Sequence, residues 1–598
     1  MLLSMLVGVI AGIGAIVFFS ACQVVSHYAL DEAAGYRPHA PGGEPPMLKD
    51  TTRPFQPWML LLVPTIGGAL SGLLVYSLAP EAEGHGTDAA IDAYHHQQGY
   101  IRPRVPLVKI VASAITLGTG GSGGREGPIA QIGAGFASYL GSSLRLRPID
   151  RRTLMAAGMG AGVAAIFRAP LAGALFAAEV LYSSPDFESE AIIPAGMASV
   201  LAYSTFGLVF GWQPLFALSP ELLETLSFHN PATLIAYSLL AAFMVVLAAV
   251  YTRTFYGLTH LFHQLKILPH FKPAVGALLS AALGLGLYFA LGDEQTLNVL
   301  SFGYGVLQDA MTQPGGEDPS LFFALVLLAV ALGKILTTSL TIGSGGSGGV
   351  FGPSMVIGGC GGGALGIVLH RLWPQFTPHP SSFVIVGMAG FFAAAAKTPF
   401  STLVMVSELT GNYNLLLPAL WVCTLAFVFS DEQSIYSSQV ENRSRSPAHQ
   451  GDYIREVLTG VKVGQFVKPA QNVPAVLPDH HLADMLSVFS NTSYQALPVT
   501  DASGRLLGVV TLEEIHLASQ SPHLQSFVLA VDLMRTDVTP LRLNDRLDRA
   551  LELFVENDQP ELPLVDEETA PRLIGIVRRS EISATYLHYV HGDGQNNR

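Results

Sequence analysis

The stretch Gly121-Ser122-Gly123-Gly124-Arg125-Glu126-Gly127-Pro128 occurs a second time in the chain, as Gly346-Ser347-Gly348-Gly349-Val350-Phe351-Gly352-Pro353. Two further stretches also recur later in the chain, in the same order. The 61 glycines of the chain could produce one such match by chance, but hardly three in the same order. The pattern therefore predicts an internal duplication. The two later matches, at nearly the same offset, pair Ala157-Gly158-Met159 with Val386-Gly387-Met388, and Arg168-Ala169-Pro170 with Lys397-Thr398-Pro399.

Charged residues are scarce in the duplicated part of the chain. Only 13% of the 598 residues are charged and 50% are hydrophobic, whereas soluble domains average about 25% charged residues. From Asp452 onward 32 of 147 residues are charged, against 45 of the 451 residues before it. A long apolar body, which indicates many membrane segments, is thus followed by a tail of soluble composition. The net charge of −13 argues against nucleic-acid binding, which needs a basic surface.

Apolar runs of spanning length recur along the body, and shorter apolar runs broken by glycine, Val350–Leu369 among them, lie between them. Broken helices are tolerated at membrane depth only where their backbone is buried in protein or lines a cavity. Interruptions at matching places in two halves point to a transport site. We therefore predict a polytopic α-helical membrane domain over 1–441, with an inverted internal repeat (halves of about 1–210 and 230–441) and broken helices. The predicted spans are Leu2–Ser26, Trp58–Leu78, Ala191–Phe210, Ala232–Thr254, Pro273–Leu291, Leu321–Leu340 and Asn414–Ser430.

The tail also contains a repeat. Leu497-Pro498-Val499 and Gly508-Val509-Val510-Thr511 recur as Leu562-Pro563-Leu564 and Gly575-Ile576-Val577-Arg578, each set after an amphipathic helical stretch. This pattern predicts a tandem α/β module. The predicted boundaries are 442–460 for a polar linker, 461–522 for the first module and 528–590 for the second.

Each glycine-rich stretch of the body ends in Gly-Pro, which suits the first turn of a helix. Neither stretch has the Gly-Lys-Ser/Thr ending that a phosphate-binding loop requires. Unobstructed backbone N–H groups at a helix start, together with the helix dipole, form a site for an anion. Two such starts would hold an anion inside the membrane without a buried lysine or arginine, which would release it slowly.

Glu126 lies within the first of these helix starts. A carboxylate inside a membrane is costly and is a functional candidate by default. One interpretation is a charge paired with the adjacent Arg125 in a water-filled vestibule. The other is a carboxylate that competes with the anion for the same N–H donors, so that protonation would end the competition and couple pH to permeation.

These residues resemble signature motifs of the CLC family of chloride channels and chloride/proton exchangers. The motifs are Gly124-Arg125-Glu126-Gly127-Pro128 and Gly349-Val350-Phe351-Gly352-Pro353, and the stretch from Pro170 to Glu179 resembles the helix that follows the first motif. Tyr436 resembles the central tyrosine of the family. The tail resembles the pair of CBS modules that many CLC proteins carry on their cytoplasmic side.

The resemblance implies an integral membrane protein of the bacterial inner membrane, a homodimer with one chloride pore per subunit and a cytoplasmic CBS tail. No cofactor is required for transport. Glu126 would be the gating glutamate, Val350 and Phe351 would lend backbone N–H groups to the anion, and Tyr436 would lend its hydroxyl. The further candidate anion-binding residues at the two helix starts are Gly124, Arg125, Gly127 and Gly352.

One departure from the family concerns the anion site. The family's first signature usually reads Gly-Ser-Gly-Ile-Pro, with the serine hydroxyl facing the anion. Here the segment Ala79–Asp88 occupies that place, and His85 replaces the serine. A neutral imidazole can donate one N–H to the anion and a protonated one attracts it more strongly. Alternatively the ring turns away and leaves the inner pore wider or lined by backbone.

A second departure concerns protons. Exchangers of the family typically show two consecutive glutamates after the first motif, the second being the inner proton acceptor. This chain reads Glu179-Val180, so that the usual relay position holds a valine. We therefore predict a passive chloride channel gated by protonation or displacement of Glu126, and a chloride/proton exchanger with a non-standard proton path as the alternative. For Glu179 and Glu408, which match in the repeat, capping or pairing is expected rather than transport.

Two further function classes are weakly supported. A CBS-regulated cation transporter would need intramembrane carboxylate clusters, and the body shows only isolated Glu126, Glu179 and Glu408. An enzyme would need a nucleophile–base constellation, and none is evident. No metal site is predicted.

CBS pairs typically bind an adenine nucleotide through Thr/Ser and Asp side chains. Thr511 and Glu514 fit one half of that pattern loosely, whereas Arg578 and Glu581 depart from it in the other half. The glutamates could still bond a ribose and Arg578 a phosphate. A purely structural, dimer-stabilising tail is the other interpretation.

Overall fold

The structure, a computed structural model, describes residues 1–44, 46–312, 320–377, 379–449, 462–465, 467, 473–520, 526–566 and 571–583. The chain divides into two compact units, Met1–Ala448 and His449–Arg598. The first unit is built from helices, and the second carries two small sheets.

Long apolar helices dominate the first unit. Within the described residues, seven are long and apolar enough to cross a membrane, and they lie in Leu2–Glu32, Met59–Leu78, Ser189–Phe210, Thr233–Gln264, Pro269–Leu291, Leu321–Gly343 and Phe351–Leu372. The helices, numbered in chain order, are α1 (Leu2–Ser26), α2 (Met59–Leu78), α3 (Thr87–His95), α4 (Arg104–Gly118), α5 (Glu126–Ser143), α6 (Pro148–Phe167), α7 (Pro170–Glu179), α8 (Ser189–Phe210), α9 (Pro220–Thr225), α10 (Thr233–Gln264), α11 (Lys272–Leu291), α12 (Tyr304–Thr312), α13 (Leu321–Gly343), α14 (Phe351–Leu372), α15 (Pro380–Ala396), α16 (Pro399–Thr410) and α17 (Leu416–Phe429).

Six of the seven predicted spans coincide with these long helices, and the seventh was wrong. In place of the predicted span Asn414–Ser430 stands α17, with 14 residues, whereas a span needs about 20. The seventh long apolar helix is α14, which was not among the predicted spans. It is continuous although its sequence is rich in glycine. Its glycines allow close packing rather than a break, because a Cβ at Gly358 would lie 2.5 Å from the carbonyl oxygen of Gly387 on α15.

The duplication is visible in the backbone. Gly120 (φ +103°) and Gly345 (φ +100°) adopt the same positive φ before the two glycine-rich stretches. Arg168 and Lys397 end α6 and α15 in the left-handed region, with φ of 57° and 61°, which is uncommon for residues other than glycine. Segments α4–α7 and α13–α16 therefore repeat one helical unit.

The second unit consists of two similar modules. Strand β1 (Ala496–Thr500) pairs antiparallel with β2 (Leu506–Thr511), and β4 (Glu561–Val565) pairs in the same way with β5 (Leu573–Arg578). A short strand, β3 (Leu541–Arg542), runs parallel to β4. The helices are α18 (Leu482–Ser490), α19 (Leu512–Ser519), α20 (Ala530–Leu533) and α21 (Leu547–Glu556). Of the predicted linker 442–460, residues up to Ala448 belong to the first unit, and 450–461 lie outside the described residues.

Candidate functional site

The two glycine-rich stretches meet face to face. Gly124 N–H donates to the carbonyl oxygen of Gly349 at 2.8 Å, and Gly349 N–H donates to that of Gly124 at 2.7 Å. Neither of the helices that follow, α5 and α14, has a side-chain cap at its start. A Cβ on Gly127 would lie 2.0 Å from the carbonyl oxygen of His85, so this close approach requires glycine. The first-turn N–H groups of both helices thus face a common region.

The Glu126 carboxylate reaches across to the start of the other helix. Its Oε2 accepts a hydrogen bond from Gly352 N–H of α14 at 3.2 Å, and its Oε1 accepts one from the hydroxyl of Tyr304. Glu126 and Tyr304 are both buried. The carboxylate therefore occupies an N–H group that was predicted to bind the anion.

Arg125 does not pair with Glu126. Its guanidinium donates two hydrogen bonds to the carboxylate of Glu44, one of them 3.2 Å long, and the side chains of both residues are buried. The same guanidinium lies 4.9 Å from the ring centroid of Phe19 and 4.8 Å from that of Phe302. The two terminal nitrogens of the guanidinium are therefore engaged with Glu44, whereas the buried Nε has no hydrogen-bond partner among the described residues.

His85 and Tyr436 lie together at another side of this region. Their ring centroids are 5.5 Å apart, both residues are buried, and Tyr436 also interacts with the hydroxyl of Thr87. His85 Nδ1 accepts a hydrogen bond from Asp88 N–H at the long distance of 3.5 Å. In a neutral ring the proton then sits on Nε2, which is available as a donor.

Phe351 connects the α14 start to Tyr436 through aromatic contacts. The ring centroids of Phe351 and Phe392 are 4.1 Å apart, and those of Phe392 and Tyr436 are 6.3 Å apart. The structure thus brings together the predicted residues of both helix starts, including Val350, with His85 and Tyr436. Tyr304 and Glu44 were missed, since neither lies in a repeat or a periodic pattern.

Val180 and the two matched glutamates lie at or near the C-terminal ends of α7 and α16. Val180 is buried at the C-terminal end of α7. The Glu179 carboxylate accepts the N–H groups of Phe400 and Ser401 at the start of α16, at 3.0 and 2.7 Å. The Glu408 carboxylate accepts those of Leu171 and Ala172 at the start of α7, at 3.2 and 2.8 Å. Both glutamates therefore cap helices, as expected from the sequence.

In the second unit the candidate nucleotide-binding residues are engaged locally. Glu514 Oε2 accepts hydrogen bonds from the backbone N–H and the hydroxyl of Thr511 at 2.7 and 3.0 Å. Glu581 accepts the backbone N–H of Arg578 at 3.1 Å. Arg578 itself donates to Glu561 at 3.1 Å and stacks on Tyr494 of the first module, 4.5 Å from the ring centroid.

Two family models match the chain. The model described as voltage gated chloride channel matches residues 67–431. The model described as CBS domain matches residues 463–520 and 530–587.

Relatives and solved structures agree with these matches. The chain is 29% identical over 453 residues to the H(+)/Cl(−) exchange transporter ClcA of Vibrio cholerae serotype O1 (strain M66-2), covering 73% of this chain and 87% of that protein. It is 29% identical over 385 residues to a ClcB-like chloride channel protein of Ralstonia nicotianae (strain ATCC BAA-1114 / GMI1000), covering 63% of this chain and 84% of that protein.

Among solved structures, a slow cyanobacterial Cl−/H+ antiporter superposes with a TM-score of 0.59 at 24% identity, over 75% of this chain and 98% of that one. This likeness shows the fold. The chain therefore belongs to the voltage-gated chloride channel (CLC) family and carries two CBS domains.

Proposed function

We propose that the chain exchanges chloride for protons across a membrane, with Glu126 as the group at which the two ions compete. The observation that carries this proposal is the hydrogen bond from Gly352 N–H to the Glu126 carboxylate. A chloride ion needs the same N–H groups at the start of α14. Carboxylate and chloride therefore exclude one another at this position.

Protonation changes the balance of this competition. A carboxylate binds the positive end of a helix and its N–H groups, whereas a neutral carboxyl group is a weaker acceptor. When Glu126 takes up a proton, chloride gains the N–H groups and the carboxyl group is free to leave. When Glu126 gives up its proton, the carboxylate returns to the N–H groups and displaces chloride. Release of the proton and displacement of chloride are therefore coupled.

Exchange is favoured over passive conduction by the relatives that are named H(+)/Cl(−) exchange transporters. Exchange was the alternative to the passive channel that the sequence predicted. Passive chloride conduction remains the second candidate. It is favoured by Val180 at the usual relay position and by the relative named as a channel protein.

The proposed anion site combines backbone and side-chain donors. Backbone N–H groups of Val350 and Phe351 lie at the start of α14, and the Tyr436 hydroxyl and His85 Nε2 would complete the set. The contact of Asp88 N–H with Nδ1 favours a proton on Nε2, which suits the first of the two interpretations of His85, in which the imidazole replaces a serine hydroxyl. No enzymatic step and no cofactor enters this cycle.

The assembly and the tail follow the family resemblance. We propose an integral protein of the bacterial inner membrane that forms a homodimer, with the CBS pair in the cytoplasm. For the CBS pair a structural role is favoured, since Arg578 links the second module to the first through Tyr494 and Ser493. Titration calorimetry of the full chain with ATP and with AMP tests the nucleotide alternative.

Purified full-length protein in liposomes, with a chloride gradient and a pH electrode, tests the exchange. Chloride leaving the vesicles is expected to drive protons inward against their own gradient. In Glu126→Gln, which mimics the protonated carboxyl group, chloride flux is expected to continue without proton movement. Chloride flux without proton movement in the wild-type protein would establish the channel instead.

A further inference from the structure

An exchanger must pass protons between Glu126 and both membrane surfaces, and Val180 cannot take part. The following inference rests on the proposed function and concerns the group that replaces the missing relay. Asp and Glu carboxylates are among the side chains that build proton relays within membranes. The described part of Met1–Ala448 contains five buried carboxylates, those of Asp31, Glu44, Glu126, Glu179 and Glu188.

Three of these carboxylates have other roles or another location. Glu179 accepts two backbone N–H groups as the cap of α16. Asp31 and Glu44 line one cleft and pair with Arg37 and Arg125. Glu44 links that cleft to Arg125, the chain neighbour of Glu126, so the carboxylates of the cleft suit proton exchange on that side of Glu126, which we take as one mouth of the pore. Glu188 is left as the candidate for the other mouth.

Glu188 sits in a cluster of phenols and arginine. Its exposure is 1%, and its Oε2 accepts a hydrogen bond from the Tyr182 hydroxyl at 2.7 Å. The Tyr94 side chain also interacts with it. Arg443 approaches Glu188 Oε1 at 3.6 Å, makes a closer contact of 3.1 Å with Glu190, and keeps 30% of its side chain exposed. The cluster thus reaches from a buried carboxylate to the surface, near the point at which the chain leaves the first unit.

Glu188 lies beside the position where the relay is missing. Its backbone N–H donates to the carbonyl oxygen of Ala178 at 2.9 Å, two residues before Val180. The segment that follows α7 pairs with the segment that follows Tyr436, since Tyr182 and Val440 form a parallel bridge. The side chain of Gln439 strengthens this pairing by donating to the carbonyl oxygens of Val180 and Tyr182 at 2.9 and 3.2 Å.

Helix α3 connects the Glu188 cluster to the anion site. Its first residue, Thr87, interacts with Tyr436 and follows His85 by two positions, whereas Tyr94 near its end interacts with Glu188. Tyr94 is seven residues after Thr87, a distance of about 10 Å along a helix. A proton that passes between the Glu188 cluster and the anion site along α3 must therefore cover about that distance.

We propose that Glu188 is the proton acceptor at the mouth of the pore opposite the Arg125–Glu44 pair. It takes the role of the glutamate that is replaced by Val180 in this chain. The carboxylate takes one proton from water at the Arg443 surface, forming an O–H bond. It then gives that proton to water beside α3, which delivers it to the Glu126 carboxylate. Each cycle returns Glu188 to its carboxylate form, and no other reactant is needed.

Simultaneous measurement of chloride and proton flux in liposomes tests this role. In Glu188→Gln, whose amide oxygen still accepts the Tyr182 hydroxyl, chloride flux is expected to stay within about threefold of wild type. Proton flux is expected to fall by about tenfold or more. Glu179→Gln is the matched control, a nearby buried glutamate whose substitution is expected to preserve the ratio of the two fluxes.

Each outcome decides the inference. Wild-type coupling in Glu188→Gln would overturn it and leave the proposed exchange intact, as would an equal loss of both fluxes in monodisperse protein. Absence of proton movement in the wild type would overturn the exchange itself, and this inference with it. If Glu188→Gln cannot be purified, Glu188→Asp and Glu188→Asn are compared instead, since their side chains are equal in size. Only the aspartate variant is expected to keep proton flux coupled to chloride flux.

Discussion

The hydroxyl of Tyr304 donates a hydrogen bond to Oε1 of Glu126, and the two residues come from opposite halves of the duplicated membrane unit. The charged groups around this pair are Arg125, which lies 5.6 Å from the Tyr304 ring centroid, and Glu44, which binds Arg125. Cys22 on α1 and Tyr436 also interact electrostatically with Glu126. Tyr304 thus holds the carboxylate where it competes with the anion.

Tyr304→Phe is expected to move the pH dependence of chloride flux to higher pH. A hydrogen bond to a charged group contributes about 1.5–3 kcal/mol and favours the charged form of the acceptor. Without it, the charged form of Glu126 loses that stabilisation, and the carboxylate takes up its proton more readily. Chloride efflux measured from pH 4 to 9 gives the midpoint. Tyr237→Phe, which removes another buried hydroxyl that bonds Ser382, serves as control and is expected to leave the midpoint unchanged.

His85→Ala is expected to weaken chloride binding by roughly 2- to 10-fold, because one neutral hydrogen bond contributes about 0.5–1.5 kcal/mol. His85→Ser restores a donor and is expected to bind chloride nearly as well as the wild type. Titration calorimetry of the detergent-purified protein measures both affinities. Equal affinity in the alanine variant would show that the imidazole turns away from the anion.

Glu44→Gln is expected to destabilise the protein strongly, because it leaves the buried guanidinium of Arg125 without its counter-charge. Removing one partner of a buried ion pair costs about 3–5 kcal/mol. The partly exposed pair of Arg102 and Glu81 provides the comparison, since Glu81→Gln is expected to cost about 0–1 kcal/mol. Thermal unfolding of both variants measures the difference, and similar melting temperatures would contradict the expectation.

Gly127→Ala is expected to abolish folding or chloride flux, because the new Cβ would lie 2.0 Å from the carbonyl oxygen of His85. The matched control is Gly196→Ala on α8, where a Cβ meets nothing within 4 Å. Size-exclusion chromatography and chloride flux report on both variants. Normal flux in Gly127→Ala would show that the His85 segment can move away from the start of α5 without loss of the anion site.

Local patterns allowed the duplication and the helix starts to be predicted, because the same glycines recur wherever the backbone must turn in the same way. Gly120 and Gly345 repeat a positive φ, and Gly124 and Gly349 bond one another. The glycines of α14 were misread as breaks because composition alone does not distinguish a broken helix from one that packs closely on a neighbour.

The partners of the site could not be predicted in the same way. Tyr304 contacts a residue 178 positions away, and Glu44 contacts one 81 positions away. Neither has a counterpart in the repeat, so only the folded chain brings them to Glu126. The same holds for two of the partners of Glu188, Tyr94 of α3 and Arg443 of the segment that follows α17, whereas its third partner, Tyr182, is only six residues away.

The crossed capping of α7 and α16 has a mechanical consequence. Glu179 ends α7 and caps α16, and Glu408 near the end of α16 caps α7, so that each half of the molecule fastens a helix of the other. A transport cycle that moved one half relative to the other would break four hydrogen bonds between backbone N–H groups and these carboxylates. Each N–H group left buried without a partner would cost about 1–3 kcal/mol. We therefore expect the two halves to stay fixed relative to one another at α7 and α16. Movement of a side chain such as Glu126 then opens the anion path at a lower cost in free energy than movement of a whole half.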